Sequence, residues 1–127
     1  MEFPLLPVTF TFVAICAILL FPMSGWIGFY RSRIGVLRGD GGDPVLFKRI
    51  RIHGNFIENA PVTALVLGAA ETLGLGAQWL WLAVLSFIAG RLLHYVLYDS
   101  PTRGLPMGLT TGPGLLLGLW VVWRIWL

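Results

Sequence analysis

DPVLFKRIRIHGNFIENAPVTALVLGAAETLGLG, residues 43–76, is the stretch on which the fold turns. Asp43 followed by Pro44 reads as a helix N-cap and first helical position, and Gly74 and Gly76 supply a stop. The helix expected between them covers about residues 45–73. At about 1.5 Å per residue it is roughly 43 Å long, more than the hydrocarbon layer of a bilayer, which is about 30 Å thick. Its two halves differ. Residues 59–70 are uncharged, whereas Lys48, Arg49, Arg51, His53, Asn55, Glu58 and Asn59 crowd the first half, which must leave the membrane or face a protected polar cavity.

Working outward, uncharged runs at 3–30, 72–90 and 104–123 are each long enough to cross a bilayer, which takes about 20 apolar residues. The expected helices are about 5–30, 45–73, 78–98 and 106–126, with Pro4 and Pro7 at the start of the first. Pro22 and Gly112-Pro113-Gly114 mark kinks that membrane helices tolerate, and Arg31 to Asp43 form a glycine-rich connector. Glu2 replaces a basic start and no small-residue cleavage site follows residues 3–30, so that run reads as a retained span rather than a signal peptide. Four spans of about 20 residues use about 80 of the 127 and leave no room for a soluble domain, which predicts one all-α membrane domain over 1–127. With 57% hydrophobic and 12% charged residues and a mean hydropathy of +0.81, the composition agrees.

Composition removes other classes. Cys16 is the only cysteine, so there is no intrachain disulfide and no cysteine-based zinc site, and His53 and His94 are too far apart in sequence for a metal motif. A net charge of +3 and a pI near 9.6 reflect basic residues beside membrane spans, and no nucleic-acid partner is expected. Arg31, Arg33, Arg38, Lys48, Arg49, Arg51, Arg91 and Arg103 fall on one side of the four spans and only Arg124 on the other. The basic side is the cytoplasmic one, and both termini face away from it. Gly104, Gly108 and Gly112, and again Gly114 and Gly118, recur every four residues, a spacing that suits close helix packing within the chain or between subunits.

Two polar stripes meet on the cytoplasmic side. At 100° per residue, Lys48, Arg51, Asn55 and Glu58 fall within roughly 80° of one another, and Arg91, His94, Tyr95 and Tyr98 within about 100°. Ionisable groups inside spans cost about 2.5–3.5 kcal/mol each on insertion scales and usually mark function. Glu58 can offset Arg51 on its own helix or Arg91 across the interface. The remaining arginines have too few carboxylates to pair with, and such guanidinium forks suit a carboxylate or phosphate ligand. The competing reading is a polar seam that binds two helices together and no ligand. His53 points away from this face, toward a surface or subunit contact, and Cys16 reads as a packing residue. Glu71 reads as a solvated or interfacial carboxylate, and Trp79, Trp81, Trp120, Trp123 and Trp126 as an aromatic belt.

The string Arg51-Ile52-His53-Gly54-Asn55-Phe56-Ile57-Glu58-Asn59-Ala60-Pro61 resembles the R-x-H-x-N-x-x-E-x-x-P signature of the membrane-associated proteins in eicosanoid and glutathione metabolism, the MAPEG family. Gly90-Arg91-Leu92-Leu93-His94 is similar to that family as well. The resemblance implies a homotrimer of four-helix subunits binding glutathione between neighbours in the cytoplasm-facing half. By position, Arg51, Asn55 and Glu58 match glutathione-contacting residues, and Arg91, His94, Tyr95 and Tyr98 the region of the third-helix contacts. Arg31 and Arg33 resemble a connector pair that also touches the ligand, and Arg103 is the candidate catalytic residue, stabilising the glutathione thiolate. The implied activity is a glutathione transferase or peroxidase acting on lipophilic electrophiles or lipid hydroperoxides. Apart from the resemblance, compact loops and the lack of a targeting segment suit a bacterial inner membrane, with the endoplasmic reticulum as the alternative. Alternatives are a non-catalytic scaffold and a small four-helix exporter, although the exporter would want a mid-span carboxylate and the first helix has none.

Overall fold

The computed structural model describes residues 5–127, so Glu2 and Pro4 lie outside the described part. Four helices account for most of it: α1 (Pro7–Ile34), α2 (Pro44–Thr72), α3 (Ala77–Val96) and α4 (Gly104–Trp126). Among the described residues there is no strand. α1, α3 and α4 are long and apolar enough to cross a membrane. α2, with its polar first half, is not among them. Its N-terminal Asp43 meets Tyr30 near the end of α1, and its C-terminal Glu71 meets Thr9 near the start, so it runs antiparallel beside a spanning helix.

α2 is the central element, packed against the other three helices, whereas α1 and α4 do not touch. Its start follows the sequence: Pro44 opens it and the Asp43 carboxylate accepts from the Leu46 N–H at 2.8 Å. Its buried residues include Ile52, Phe56, Ala60, Thr63, Leu67 and Ala70, spaced three and four apart in one apolar stripe. Phe56 and Phe12 both pack edge-on against Phe87 of α3, with ring centroids 6.4 and 5.1 Å from it. Pro22, Pro61 and Pro113 lie inside helices that continue through them.

α1 departs from expectation at both ends. It runs one turn beyond Tyr30, so Arg31 and Arg33 belong to the helix and not to the connector. Gly35, at φ 73°, supplies the left-handed cap, and the two arginines sit where the helix dipole favours positive charge. At the other end Leu6 has no capping side chain. Glu71 fills that role from α2: its carboxylate accepts from the N–H groups of Val8 and Thr9 at 2.9 and 2.8 Å and from the Thr9 hydroxyl at 2.7 Å. Glu71 is thus the cap of another helix, and not the solvated or interfacial carboxylate expected. Helix-start N–H groups have no intrahelical acceptor, and a negative charge there is doubly favoured.

α3 and α4 approach most closely at Gly90. A Cβ there would lie 2.5 Å from Thr110 Oγ1, 2.8 Å from the Thr110 nitrogen and 2.9 Å from the Pro106 oxygen, two of them backbone atoms that cannot yield alone. Gly90→Ala should therefore force the helices apart and cost about 1–3 kcal/mol, the usual range for overpacking. A lower thermal midpoint in detergent checks this. Glu71→Ala, which strips α1 of its cap, should lower the same midpoint by the equivalent of about 1–2 kcal/mol.

Candidate functional site

The two polar stripes come together as an antiparallel ladder along α2 and α3. Lys48 pairs with Asp99 at 2.7 Å, and further in the Asn55 amide nitrogen donates to His94 Nε2 at 3.1 Å. Tyr98 fills the space between, edge-on to His94 at 5.6 Å with the Lys48 ammonium 5.2 Å above its ring. His94 is only 6% exposed. With Nε2 accepting, the proton of the neutral imidazole sits on Nδ1, which is buried without a partner.

Beside this ladder lies a cavity of about 290 Å³. Arg51 and Asn55 form its α2 wall, His94 and Tyr98 its α3 wall, and Arg103, Gly104 and Met107 close it from the start of α4. Five of the residues that the sequence singles out thus share one cavity: Arg51, Asn55, His94, Tyr98 and Arg103. Gly104 and Met107 are additions, although Met107 is one turn beyond Arg103 and shares its helix face. Asp99 and Thr110, which hold Lys48 and Arg91, are additions as well. Hydroxyls and short carboxylates near helix ends carry no spacing signal of their own.

The other expected residues lie elsewhere. Glu58 stands 3.9 Å from Arg51, with both side chains about half exposed, so the pair is weak and screened. It does not reach Arg91. Asn55 facing His94 puts Glu58 and Arg91 at the same depth, but Glu58 turns outward while Arg91 turns toward α4. There Arg91 donates from Nε and Nη2 to Thr110 Oγ1 at 3.0 and 2.7 Å, and Nη2 meets the Met107 sulfur at 3.7 Å. Arg91 does not line the polar cavity, although it touches Met107, which does. Tyr95 packs against Trp26 of α1 at 5.9 Å, on the far side of α3. Arg31 donates to the Gly39 carbonyl at 2.6 Å and folds the connector, and Arg33 is exposed; neither lines the cavity. His53 meets the Ser24 hydroxyl of α1 at 3.3 Å, a contact within the chain.

A second cavity, of about 430 Å³ and almost wholly apolar, opens between α1 and α3. It is bordered by Cys16, Met23 and Trp26 of α1, Phe56 of α2, and Arg91 and Tyr95 of α3. Ile52 and Phe56 face it while Arg51 and Asn55 face the polar cavity, so the two spaces lie back to back across the α2–α3 seam.

The polar cavity carries surplus positive charge. Arg51 and Arg103 line it and Arg91 stands behind Met107, while the nearby carboxylates Glu58 and Asp99 are engaged by Arg51 and Lys48. Chemically, this arrangement holds an anion with further hydrogen-bonding groups. Asn55→Leu should leave His94 Nε2 buried and unpartnered, and should cost about 1–3 kcal/mol of stability. Thermal unfolding in detergent measures this, with Asn59→Leu as a comparison that spares the ladder.

The model of the MAPEG family matches residues 9–123, which takes in all four helices and the whole cavity. The chain is also 32% identical over 84 residues to the "Inner membrane protein YecN" of Escherichia coli strain K12, and equally to the protein of that name from E. coli O6:H1. The matched segment is 66% of this chain and 64% of each relative.

Proposed function

The chain belongs to the MAPEG family, and on that premise we propose that it is a membrane glutathione transferase, able also to act as a peroxidase. One observation carries the proposal: α2, α3 and α4 gather Arg51, Asn55, His94, Tyr98 and Arg103 around a single cationic cavity. Glutathione has two carboxylates, one ammonium group and a thiol. Arg51 and Arg103 suit the carboxylates and the thiolate, Asn55 and Tyr98 supply neutral hydrogen bonds, and Glu58 at the Arg51 end suits the ammonium group.

The chemistry needs no protein nucleophile. A free thiol ionises near pH 8.5, and lowering that by about two units takes roughly 2.7 kcal/mol of preferential stabilisation of the thiolate. Arg103, the exposed guanidinium at the start of α4, suits that role. The thiol proton leaves to water, the sulfur lone pair forms a bond to the electrophilic carbon, and the leaving group takes the electrons of the bond that breaks. With a hydroperoxide, sulfur takes the terminal oxygen, an alcohol leaves, and a second glutathione reduces the resulting sulfenic acid with release of water.

The homotrimer belongs to this proposal, as does a cytoplasm-facing site in a bacterial inner membrane. The excess of basic residues on that side and the inner-membrane relative support the location. In a trimer, the last turn of α1 of a neighbouring subunit can bring the exposed Arg33 to the cavity. The second reading, a structural seam without a ligand, draws on the Asn55–His94 and Lys48–Asp99 bonds, which join α2 and α3 by themselves.

Calorimetry with detergent-purified protein separates the two. Glutathione should bind saturably, Arg51→Ala and Glu58→Ala should each weaken binding by about tenfold, and a thiolate absorbance should appear at neutral pH. Arg103→Ala should lose the thiolate signal more than the binding. Folded protein that binds no glutathione would leave the seam structural.

A further inference from the structure

The face that α1 turns toward α3 is not filled. Phe12, Ile15, Leu19, Met23 and Trp26, spaced three and four apart, border the apolar cavity of about 430 Å³, and α3 supplies the opposite wall. Aromatic pairs close both ends: Phe12 meets Phe87 with ring centroids 5.1 Å apart, and Trp26 meets Tyr95 at 5.9 Å. Between the pairs, the exposed Leu19 and Leu92 form the rims, so the slot opens sideways from the bundle. Protein interiors close-pack, with few voids larger than a water molecule, and a space of this size calls for an occupant.

Shape and surroundings select that occupant. From Phe12 to Trp26 the slot follows α1 for about 21 Å, at about 1.5 Å per residue. Spread over that length, 430 Å³ gives a mean cross-section of about 20 Å², room for a single unbranched alkyl chain. A helix from a second copy, about 10 Å across, does not enter. Both walls belong to helices long and apolar enough to cross a membrane, so the mouth faces acyl chains. Half of the hydrocarbon layer is about 15 Å thick, less than the length of the slot, and a chain from the leaflet on the basic side therefore lies along it from Trp26 toward Phe12.

The charge at the Trp26 end specifies the head group. Arg49 of α2 donates to the Trp26 carbonyl at 2.7 Å, and its guanidinium lies over the rings of Trp26 and Tyr30. Among the described residues that carbonyl is the guanidinium's only hydrogen-bond partner, and Arg49 forms no ion pair. Asp43, which shares Tyr30 with it, is occupied by the Tyr30 hydroxyl and the Leu46 N–H. Tryptophan and tyrosine gather at the membrane–water boundary, where phospholipid phosphates lie, and basic groups between helices at that level bind anionic head groups.

We propose that the α1–α3 slot seats one anionic phospholipid from the leaflet on the basic side, with an acyl chain between the two aromatic pairs and the phosphate against Arg49. The bound chain fills the face of α1 that α3 leaves uncovered. None of the residues bordering the slot lines the polar cavity, so the lipid seat stands or falls apart from the glutathione reading.

Native mass spectrometry of the full chain in detergent, titrated with dioleoyl phosphatidylglycerol or dioleoyl phosphatidylcholine, tests the proposal. One phosphatidylglycerol should be retained per chain, and phosphatidylcholine, whose ammonium offsets its phosphate, more weakly. Arg49→Gln should weaken phosphatidylglycerol about tenfold, the loss expected for one charge-assisted hydrogen bond, and erase the difference between the lipids. Arg38→Gln, at an exposed position of the connector, should keep that difference. Cys16→Phe, which puts a ring into the slot, should retain neither lipid while its helical circular dichroism persists. Equal retention of the two lipids by the wild type overturns the proposal, as does a preference that survives Arg49→Gln or is lost in Arg38→Gln. Wild-type retention by folded Cys16→Phe overturns it as well, even if Arg49→Gln fails to fold. Oligomers that carry no lipid and come apart in Cys16→Phe would put a second copy at the slot, and that outcome also overturns the lipid seat.

Discussion

The missing side chain of Gly90 sets the distance between α3 and α4. With only hydrogen at that position, the backbone of α4 at Pro106 and Thr110 comes within a methyl group's reach of α3. That approach brings the Thr110 hydroxyl to the Arg91 guanidinium, and it lays Met107 across the inner wall of the cavity. It also holds the start of α4, with Arg103, over the α2–α3 ladder. Were the helices a methyl group further apart, Arg91 would lose its hydroxyl acceptor and the cavity its third wall. The site thus depends on a contact between small residues that do not themselves line the cavity.

The rest of the bundle obeys a constraint imposed by its solvent. In a hydrocarbon layer a polar group must find its partner within the protein, because no water is there to supply one. α2 carries most of the interior polarity, and for that reason it sits at the centre with all three apolar helices against it. Its two ends do different work. At the basic end, Arg49 lies over the rings of Trp26 and Tyr30 of α1, with its guanidinium carbon 4.6 and 4.5 Å from the ring centroids, while Lys48 reaches Asp99 beyond α3. At the opposite end Glu71 closes the open N–H groups of α1. α1 is thereby fixed at both tips, and between them it stands clear enough of α3 to leave the apolar space of about 430 Å³.

Much of this is legible in the amino-acid sequence. Four helices, the Asp43-Pro44 start and the pairing of two polar stripes follow from periodicity, capping chemistry and the cost of charge in a membrane. Rotation and reach are not legible there. Glu58 and Arg91 both fall on polar faces at matching depth, but a small turn of each helix decides whether side chains meet, and here Glu58 turns outward and Arg91 turns to α4. In the sequence Glu71 shows only as a charge near a helix end. Its role depends on the start of a helix more than sixty residues away in the chain, a relation that no local pattern encodes.

The class of the protein and the chemistry of its polar face are written in the order of its residues alone. Hydropathy fixes which segments enter the membrane, and the 3.6-residue repeat fixes which side chains share a face, because both are properties of single helices. The motif around Arg51, Asn55 and Glu58 carried the family with it. Which arginines line the cavity, which one turns to Thr110 of α4, and which carboxylate caps α1 are decided only when the helices pack. Those outcomes depend on distances between helices of a few ångströms, and these are set by the close packing of residues such as Gly90 and Thr110, whose effect emerges only when two helices meet.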